Sequence, residues 1–222
     1  MTTGIFITGT DTGVGKTHVA SLLLAELRRR GFKAAAFKPI ACGPGGRHDA
    51  KLYRRLMNNE VPLDVINPVS LRHPLAPSVA AKLEGKRINL RKVFANYESL
   101  ITNYDFLFIE GAGGLLVPIK RHYFVADLAR DLGLSLVIVA RLGLGTINHT
   151  LLTVRQAQAM GLPVKGIILN DTTGRRSGLA EKTNVRALPE LCGVPVLGVV
   201  PYGPTRGGAK ATRQICRSLS GS

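Results

Sequence analysis

Acidic residues are scarce in this chain of 222 residues: fourteen Asp and Glu stand against thirty Lys and Arg, a formal net charge of +16. Aromatics make up only 5%, and few of them fall among the basic clusters, so the stacking platforms of single-strand and RNA binders are missing. Cysteine is limited to Cys42, Cys192 and Cys216. An odd number without a C-x-x-C pair excludes a disulfide framework and suits reduced thiols in a cytoplasm. No Cys/His spacing suggests zinc, and the five histidines form no ligand cluster. Apolar runs stay far below the roughly 18 to 20 residues of a membrane span. Met1-Thr2-Thr3-Gly4 lacks the positive n-region of a secretory signal, so a cytoplasmic protein is expected.

The surplus basic residues are scattered in pairs and triplets: Arg28-Arg29-Arg30, Arg54-Arg55, Lys86-Arg87, Arg91-Lys92, Lys120-Arg121 and Arg175-Arg176. That dispersion favours a solvated basic surface over a nucleic-acid function. No Pro/Gly/Ser-rich linker or composition break divides the chain, and 45% hydrophobic content is enough for one substantial core. One domain over residues 1–222 is expected. Residues 204–222 hold Arg206, Lys210, Arg213 and Arg217 with no acid, and read as a mobile basic end or a last helix.

Short continuous apolar runs recur at 5–7, 34–37, 106–109, 136–140, 164–169 and 196–200. Such runs suit strands covered on both faces in a parallel sheet. Helical patterning lies between them, first over 17–30, where Ala20, Leu23, Leu24 and Leu27 share a stripe and Gly31 stops the helix. Further helices are expected over 49–57, 90–103, 123–132, 146–160 and 181–191. The alternation predicts an α/β fold, a doubly wound, mainly parallel sheet with helices on both faces. Ligands gather beyond the carboxyl ends of the strands in that architecture, so residues after each apolar run become site candidates.

The first such stretch is the most specific. Ile5-Phe6-Ile7 leads into Thr8-Gly9-Thr10-Asp11-Thr12-Gly13-Val14-Gly15-Lys16-Thr17, a variant of G-x-x-x-x-G-K-[ST] with Thr10 in place of the first glycine. Gly13 and Gly15 let backbone N–H groups turn toward an anion, Lys16 reaches the outer phosphates, and the Thr17 hydroxyl suits Mg²⁺. The helix that follows adds its positive pole.

Other candidates follow later strands. Lys38, before Pro39-Ile40-Ala41-Cys42, is placed to face the phosphates. Residues 105–109 form an apolar strand that is expected to end at Glu110, before Gly111-Ala112-Gly113-Gly114, like the metal-side strand of phosphate-loop enzymes. Asp49 is a second carboxylate at a predicted helix start, either an N-cap or a metal ligand. Arg141-Leu142-Gly143-Leu144-Gly145-Thr146-Ile147-Asn148 offers amides to another anion, such as a carboxylate, or is a tight turn capped by Thr146. Asn170-Asp171 and Pro201-Tyr202-Gly203 lie past two strands, where Asn170 has both a donor and an acceptor for a base edge.

Taken together, residues 9–17, Lys38-Pro39-Ile40-Ala41, Glu110-Gly111-Ala112-Gly113-Gly114, Gly145-Thr146-Ile147-Asn148-His149 and Asn170-Asp171 resemble the dethiobiotin synthetase family. The similarity continues more weakly to Pro201. It implies a cytoplasmic enzyme of the phosphate-loop NTPase group, which makes dethiobiotin, ADP and phosphate from 7,8-diaminopelargonic acid, CO₂ and ATP. A carbamate and a carbamic-phosphoric anhydride are the implied intermediates. By the same resemblance Thr17, Asp49 and Glu110 hold Mg²⁺, and Lys16 and Lys38 stabilise charge in the reaction. Gly13, Val14, Gly15, Lys16, Thr17, His18, Asp49, Glu110, Gly111, Ala112 and Gly113 would meet the phosphate side of the nucleotide. Asn170, Asp171, Pro201, Tyr202 and Gly203 would line the adenine pocket. Thr12, Lys38, Cys42, Gly145, Thr146, Ile147 and Asn148 would bind the diamine substrate, with the last four near its carboxylate tail in a homodimer.

Two departures from the family pattern matter. Cys42 stands where serine is common, and no acid follows Pro201-Tyr202-Gly203, which loosens the expected ATP preference. Thiol activation in an electropositive pocket and an inert buried cysteine are both open at Cys42. Of the alternatives, a partition-type ATPase acting on DNA or membrane would carry K-G-G-x-G-K-T, but Asp11 occupies its signature lysine position. An amidotransferase-type synthase of cofactor metabolism would need a glutaminase portion, for which no room is expected.

Overall fold

The computed structural model describes residues 2–44, 47–174 and 178–220; the basic pair Arg175-Arg176 lies outside them. The elements run, in order, β1 (Thr3–Gly9), α1 (Lys16–Arg29), β2 (Ala34–Phe37), β3 (Ile40–Cys42), α2 (His48–Leu56), α3 (Leu63–Ile66) and β4 (Val69–Leu71). Then come α4 (Pro77–Leu83), α5 (Leu90–Ile101), β5 (Phe106–Gly114), β6 (Pro118–Lys120), β7 (Tyr123–Phe124) and α6 (Val125–Asp131). The last are β8 (Ser135–Arg141), α7 (Thr146–Ala159), β9 (Val164–Asn170), α8 (Leu179–Cys192), β10 (Val196–Val200) and α9 (Arg206–Ser220).

Six of the strands form one sheet in the order β10-β9-β8-β1-β5-β2, and each neighbouring pair is parallel. The apolar runs became these six strands because side chains on both faces are covered. On one face Ile138 and Ala140 of β8 and Ile167 and Leu169 of β9 pack with Val154 of α7 and Leu188 of α8. Their alternates Val137, Val139 and Ile168 join the cluster that holds Leu23 and Leu27 of α1 and Ile215 and Leu219 of α9. The period of two assigns each strand residue to a face. The sheet is therefore doubly wound, as the alternation predicted.

β1 lies between β5 and β8, where the winding reverses, and its carboxyl end is the crevice such sheets use for ligands. The phosphate loop leaves the sheet at that point. Gly9 is required there, because a Cβ would lie 2.9 Å from the Asp11 carbonyl oxygen and 3.0 Å from Lys16 Nζ.

Two expectations need correction, and one segment goes beyond them. β5 does not stop at Glu110: it runs on to Gly114, which pairs with Gly9, so Glu110 sits within a strand and faces inward. The helix expected from residue 123 begins at Val125, since Tyr123 and Phe124 pair with β6. Between residues 37 and 90 the chain adds β3, β4, α3 and α4, which carried no signal. β3 and β4 form a small parallel sheet of their own, and Pro39 is compatible with that extended path.

Candidate functional site

Beyond the end of β1 lies a cavity of about 540 Å³. One wall is the phosphate loop, with Thr12, Gly13, Gly15, Lys16 and Thr17; the floor carries Lys38, Asp49 and Glu110. Cys42, Ala112 and Gly113 also line it, and the far wall is Pro74 to Pro77 at the start of α4.

The loop's conformation follows from its glycines. Gly13 and Gly15 have φ of 75° and 92°, in the left-handed region that favours glycine. Gly15 is the N-cap of α1 and makes no side-chain cap bond, so the first-turn N–H groups of Lys16, Thr17 and His18 stay available to an anion. The His18 side chain is exposed and outside the cavity wall, leaving only its backbone for such a contact.

Charged groups converge on the floor. Lys38 is buried, and its Nζ donates to Glu110 Oε1 at 2.6 Å, with Asp49 Oδ2 at 3.4 Å. Thr17 Oγ1 donates to the same Glu110 oxygen at 2.9 Å. The other oxygen, Oε2, accepts from the Tyr53 hydroxyl. Desolvation opposes the charge on Lys38, but Glu110 and Asp49 outweigh it and hold the ammonium above its ordinary range. Lys16, whose Nζ donates to the Asp11 carbonyl at 3.0 Å, is drawn down to about 8 by burial and then by Lys38. Burial, reinforced by Glu110, raises Tyr53 well above the usual phenol range, so it remains a donor.

Asp49 is not the helix cap; Arg47 holds that position, and Asp49 lies in the first turn of α2. Its carboxylate and that of Glu110 flank one ammonium, and the Thr17 hydroxyl bonds the same Glu110 oxygen, so the floor already accommodates a positive charge among oxygen donors. That donor set suits Mg²⁺, which takes one or two carboxylates and completes its shell with phosphates and water. Among the described residues no group of three or more His, Cys, Asp or Glu could hold a metal by itself.

Not every predicted residue reaches this cavity. Val14 is buried behind the loop, and Asn170 Nδ2 donates to its carbonyl at 2.9 Å. The Asn170 Oδ1 is buried without a partner. Gly111 packs instead of lining the wall, since a Cβ there would approach Val125 and Phe6 at 2.9 and 3.0 Å. Asp171 turns back on its own chain: despite some desolvation, the N–H groups of Thr173 and Gly174 hold its carboxyl below the ordinary range.

Pro201 and Gly203 line a different, largely apolar cavity of about 550 Å³ between α1 and α9, beside Leu22 and Thr205; Tyr202 is exposed. Gly145, Ile147 and Asn148 lie at the start of α7, away from both cavities, with Asn148 exposed. The cap there is Gly145, at φ 89°, and Thr146 is buried against Thr150.

At Cys42 burial pushes the thiol up to about 11, even though Lys38 pulls the other way. Burial thus favours the protonated thiol over an activated thiolate. Two features carried no reading from sequence. Tyr53 stands four residues after Asp49, the spacing that puts both on one helix face, and this was the signal available. Glu84 accepts from Arg72 N at 2.6 Å, His73 N at 3.1 Å and Lys86 Nζ at 2.7 Å, pinning the segment that leads to the far wall.

Comparison with known proteins adds to this geometry. A family model described as an AAA domain matches residues 3–209. The chain is 41% identical over 215 residues to the ATP-dependent dethiobiotin synthetase of Thermodesulfovibrio yellowstonii, covering 91% of this chain and 90% of that one. With its counterpart of the same name in Methanocaldococcus jannaschii it shares 40% over 200 residues, 88% of this chain and 92% of the other. Among solved structures, the MinC:MinD cell division complex of Aquifex aeolicus superposes with a TM-score of 0.65 at 17% identity, covering 99% of this chain and 96% of that chain. The signal recognition particle receptor FtsY of Elizabethkingia anophelis gives a TM-score of 0.57 at 16%, covering 97% and 66%. Likeness at such identity concerns the fold alone.

Proposed function

The chain belongs to the dethiobiotin synthetase family, and we propose that it carboxylates and cyclises 7,8-diaminopelargonate with CO₂ and ATP, giving dethiobiotin, ADP and phosphate. The observation that carries this reading is the meeting of Lys38, Glu110, Asp49 and Thr17 on the floor of the phosphate-loop cavity. The ammonium groups of Lys38 on the floor and Lys16 on the loop are offset by two carboxylates, leaving little net charge, so a polyphosphate fits best when a divalent cation accompanies it.

In this mechanism the N–H groups of residues 13 to 18 cradle the phosphates and Lys16 bonds the outer ones. Thr17, Asp49 and Glu110 would hold Mg²⁺, which when bound neutralises charge on the β- and γ-phosphates. CO₂ adds to one neutral amine, which loses a proton to become a carbamate; a carbamate oxygen attacks the γ-phosphorus, the bond to the β-γ bridging oxygen breaks and ADP leaves. The second amine then attacks the carbonyl carbon of the mixed anhydride, phosphate departs, and the ureido ring closes with loss of a proton. Lys38 stabilises the carbamate oxygens and the transferring phosphoryl group, while Thr12 and Cys42 contact the diamine. Positioning and electrostatics are the protein's main contributions to phosphoryl transfer.

The base would sit by Asn170, with Asp171 and Pro201 to Gly203 at its edge; for the buried Asn170 Oδ1 to accept from an exocyclic amine, the segment covering it would have to move aside. The substrate's carboxylate tail would meet Gly145 to Asn148 of a second subunit, which accounts for their distance from the cavity and for the 95% exposure of Leu144. On this proposal the protein is a cytoplasmic homodimer of single-domain chains. No helix among the described residues is long and apolar enough to cross a membrane.

The test supplies purified protein with ATP, Mg²⁺, bicarbonate and 7,8-diaminopelargonate and follows ADP and dethiobiotin. Diamine-dependent formation of both in equal amounts is expected. Turnover of ATP that ignores the diamine would reject the assignment, and competition among nucleotides in the same assay measures the base preference.

A further inference from the structure

We infer that Tyr53 is a positioning residue for Glu110, holding one carboxylate oxygen so that the other is presented to the cavity. Tyr53 is fully buried in α2, and its hydroxyl donates to Glu110 Oε2. Glu110 is itself only 2% exposed, and its Oε1 takes both Thr17 Oγ1 and Lys38 Nζ. The two oxygens thus have separate tasks: Oε2 is anchored to a helix, and Oε1 faces the phosphate loop. A glutamate has one more torsion than an aspartate, and the phenol removes that freedom at the carboxylate itself. The same helix brings Asp49 to Lys38 one turn earlier, so the docking of α2 sets both carboxylates of the floor together.

Tyr53→Phe keeps the ring and deletes the donor. Oε2 is then buried without a partner, and the carboxylate is free to turn away from the loop or to draw Lys38 to both oxygens. Either change weakens the grip on a divalent cation. The inference rests on the reading that Glu110 helps hold the cation, and its test separates the two.

Mn²⁺ is used as the probe, its binding to the ADP-loaded protein being followed by electron paramagnetic resonance for wild type, Tyr53→Phe, Glu110→Gln and the double variant. ADP affinity is measured in EDTA alongside. Loss of a hydrogen bond to a charged group, about 1.5–3 kcal/mol, corresponds to a Mn²⁺ Kd raised about ten- to a hundredfold in Tyr53→Phe. ADP affinity in EDTA stays within about twofold of wild type, and Tyr53→Phe adds nothing once Glu110 is Gln. If Tyr53→Phe is poorly folded, Tyr53→Leu, which also lacks the donor, is held to the same result. Unchanged Mn²⁺ affinity in the tyrosine variants beside a weakened Glu110→Gln overturns the inference alone. Unchanged affinity in Glu110→Gln overturns the cation reading, and the inference with it. Equal losses with and without the cation would make Tyr53 merely structural and also overturn it.

Discussion

Two loops of this molecule share one backbone device and differ in nearly everything else. After β1 and after β8 the chain passes through one glycine and then a second, at φ near 90°, that caps a helix: Gly13 and Gly15 in one, Gly143 and Gly145 in the other. The first loop is closed in by its own subunit. Lys16 folds over it, Asn170 braces it from behind, and the charged floor lies below. The second is braced only at its start, where Asn184 Nδ2 donates to the Gly143 carbonyl at 2.8 Å, and its tip stands in the open, with nothing within 4 Å of a Cβ at Gly145 and with Leu144 95% exposed. Helix N-termini attract anions in general, but side chains around them decide whether a site is complete. The first loop is enclosed within one chain, and under the proposed dimer the second would be completed by a neighbour.

The largest effect comes from removing charge below the first loop. Lys38→Ala is expected to lower kcat about 10²–10³-fold, the scale for a well-placed donor that acts on the transition state, with nucleotide affinity changed far less. Steady-state kinetics beside ADP titrations check this; a kcat within threefold of wild type would put Lys38 outside the chemistry.

Next comes a direct comparison of the caps. Gly15→Ala and Gly145→Ala each suffer about 1–2 kcal/mol of left-handed strain. At Gly15 the new Cβ also falls 2.0 Å from Asn170 Nδ2 and must displace the amide that bonds Val14. An additional cost of about 1–3 kcal/mol is expected there, as for a buried hydrogen bond left unmade. Urea unfolding of both variants measures the difference. Equal costs would mean that the brace behind the first loop contributes nothing.

How far these loops were legible follows from what each depends on. The first was readable because glycine, lysine and threonine occur at fixed spacing after an apolar run. Glu110 was readable as the acid of a later run, though not as a residue inside its strand, because the pairing of Gly114 with Gly9 is a tertiary contact. The fold emerged from apolar runs whose two faces are both covered. Tyr53 was hidden, since its helical spacing from Asp49 says nothing about which strand α2 faces. Asn170 was placed near the nucleotide, but its bond to Val14 spans 156 positions and no local pattern encodes it. The wall at Pro74 to Pro77 belongs to short elements held by Glu84, too brief for either period to register.

The second loop offers a smaller effect of another kind. If a partner subunit covers Leu144, then Leu144→Asp loses the burial of one leucine, about 1.5–3 kcal/mol, and places a charge in the interface. Sedimentation should show dissociation at concentrations where wild type is dimeric. The KM for the diamine should rise about tenfold on this scale, while ADP affinity, which belongs to the first loop, is unaffected. A monomeric variant with unchanged diamine KM would place the substrate wholly within one chain and end the contrast between the loops.

The smallest effect tests what the floor of the first cavity leaves over for its wall. With its thiol pushed up to about 11 by burial, Cys42 stays protonated through the neutral range and offers only a weak S–H donor. Cys42→Ser supplies a stronger one, and a typical net hydrogen bond of about 0.5–1.5 kcal/mol, partly made already by the thiol, corresponds to a diamine KM lowered about threefold. kcat should not move. Because a group with its pKa near 11 loses its proton only as pH rises past about 10, the pH profiles of wild type and variant should superimpose between pH 7 and 9. Divergence within that window would show a thiolate at Cys42, which requires that Lys38 has charge to spare beyond Glu110 and Asp49.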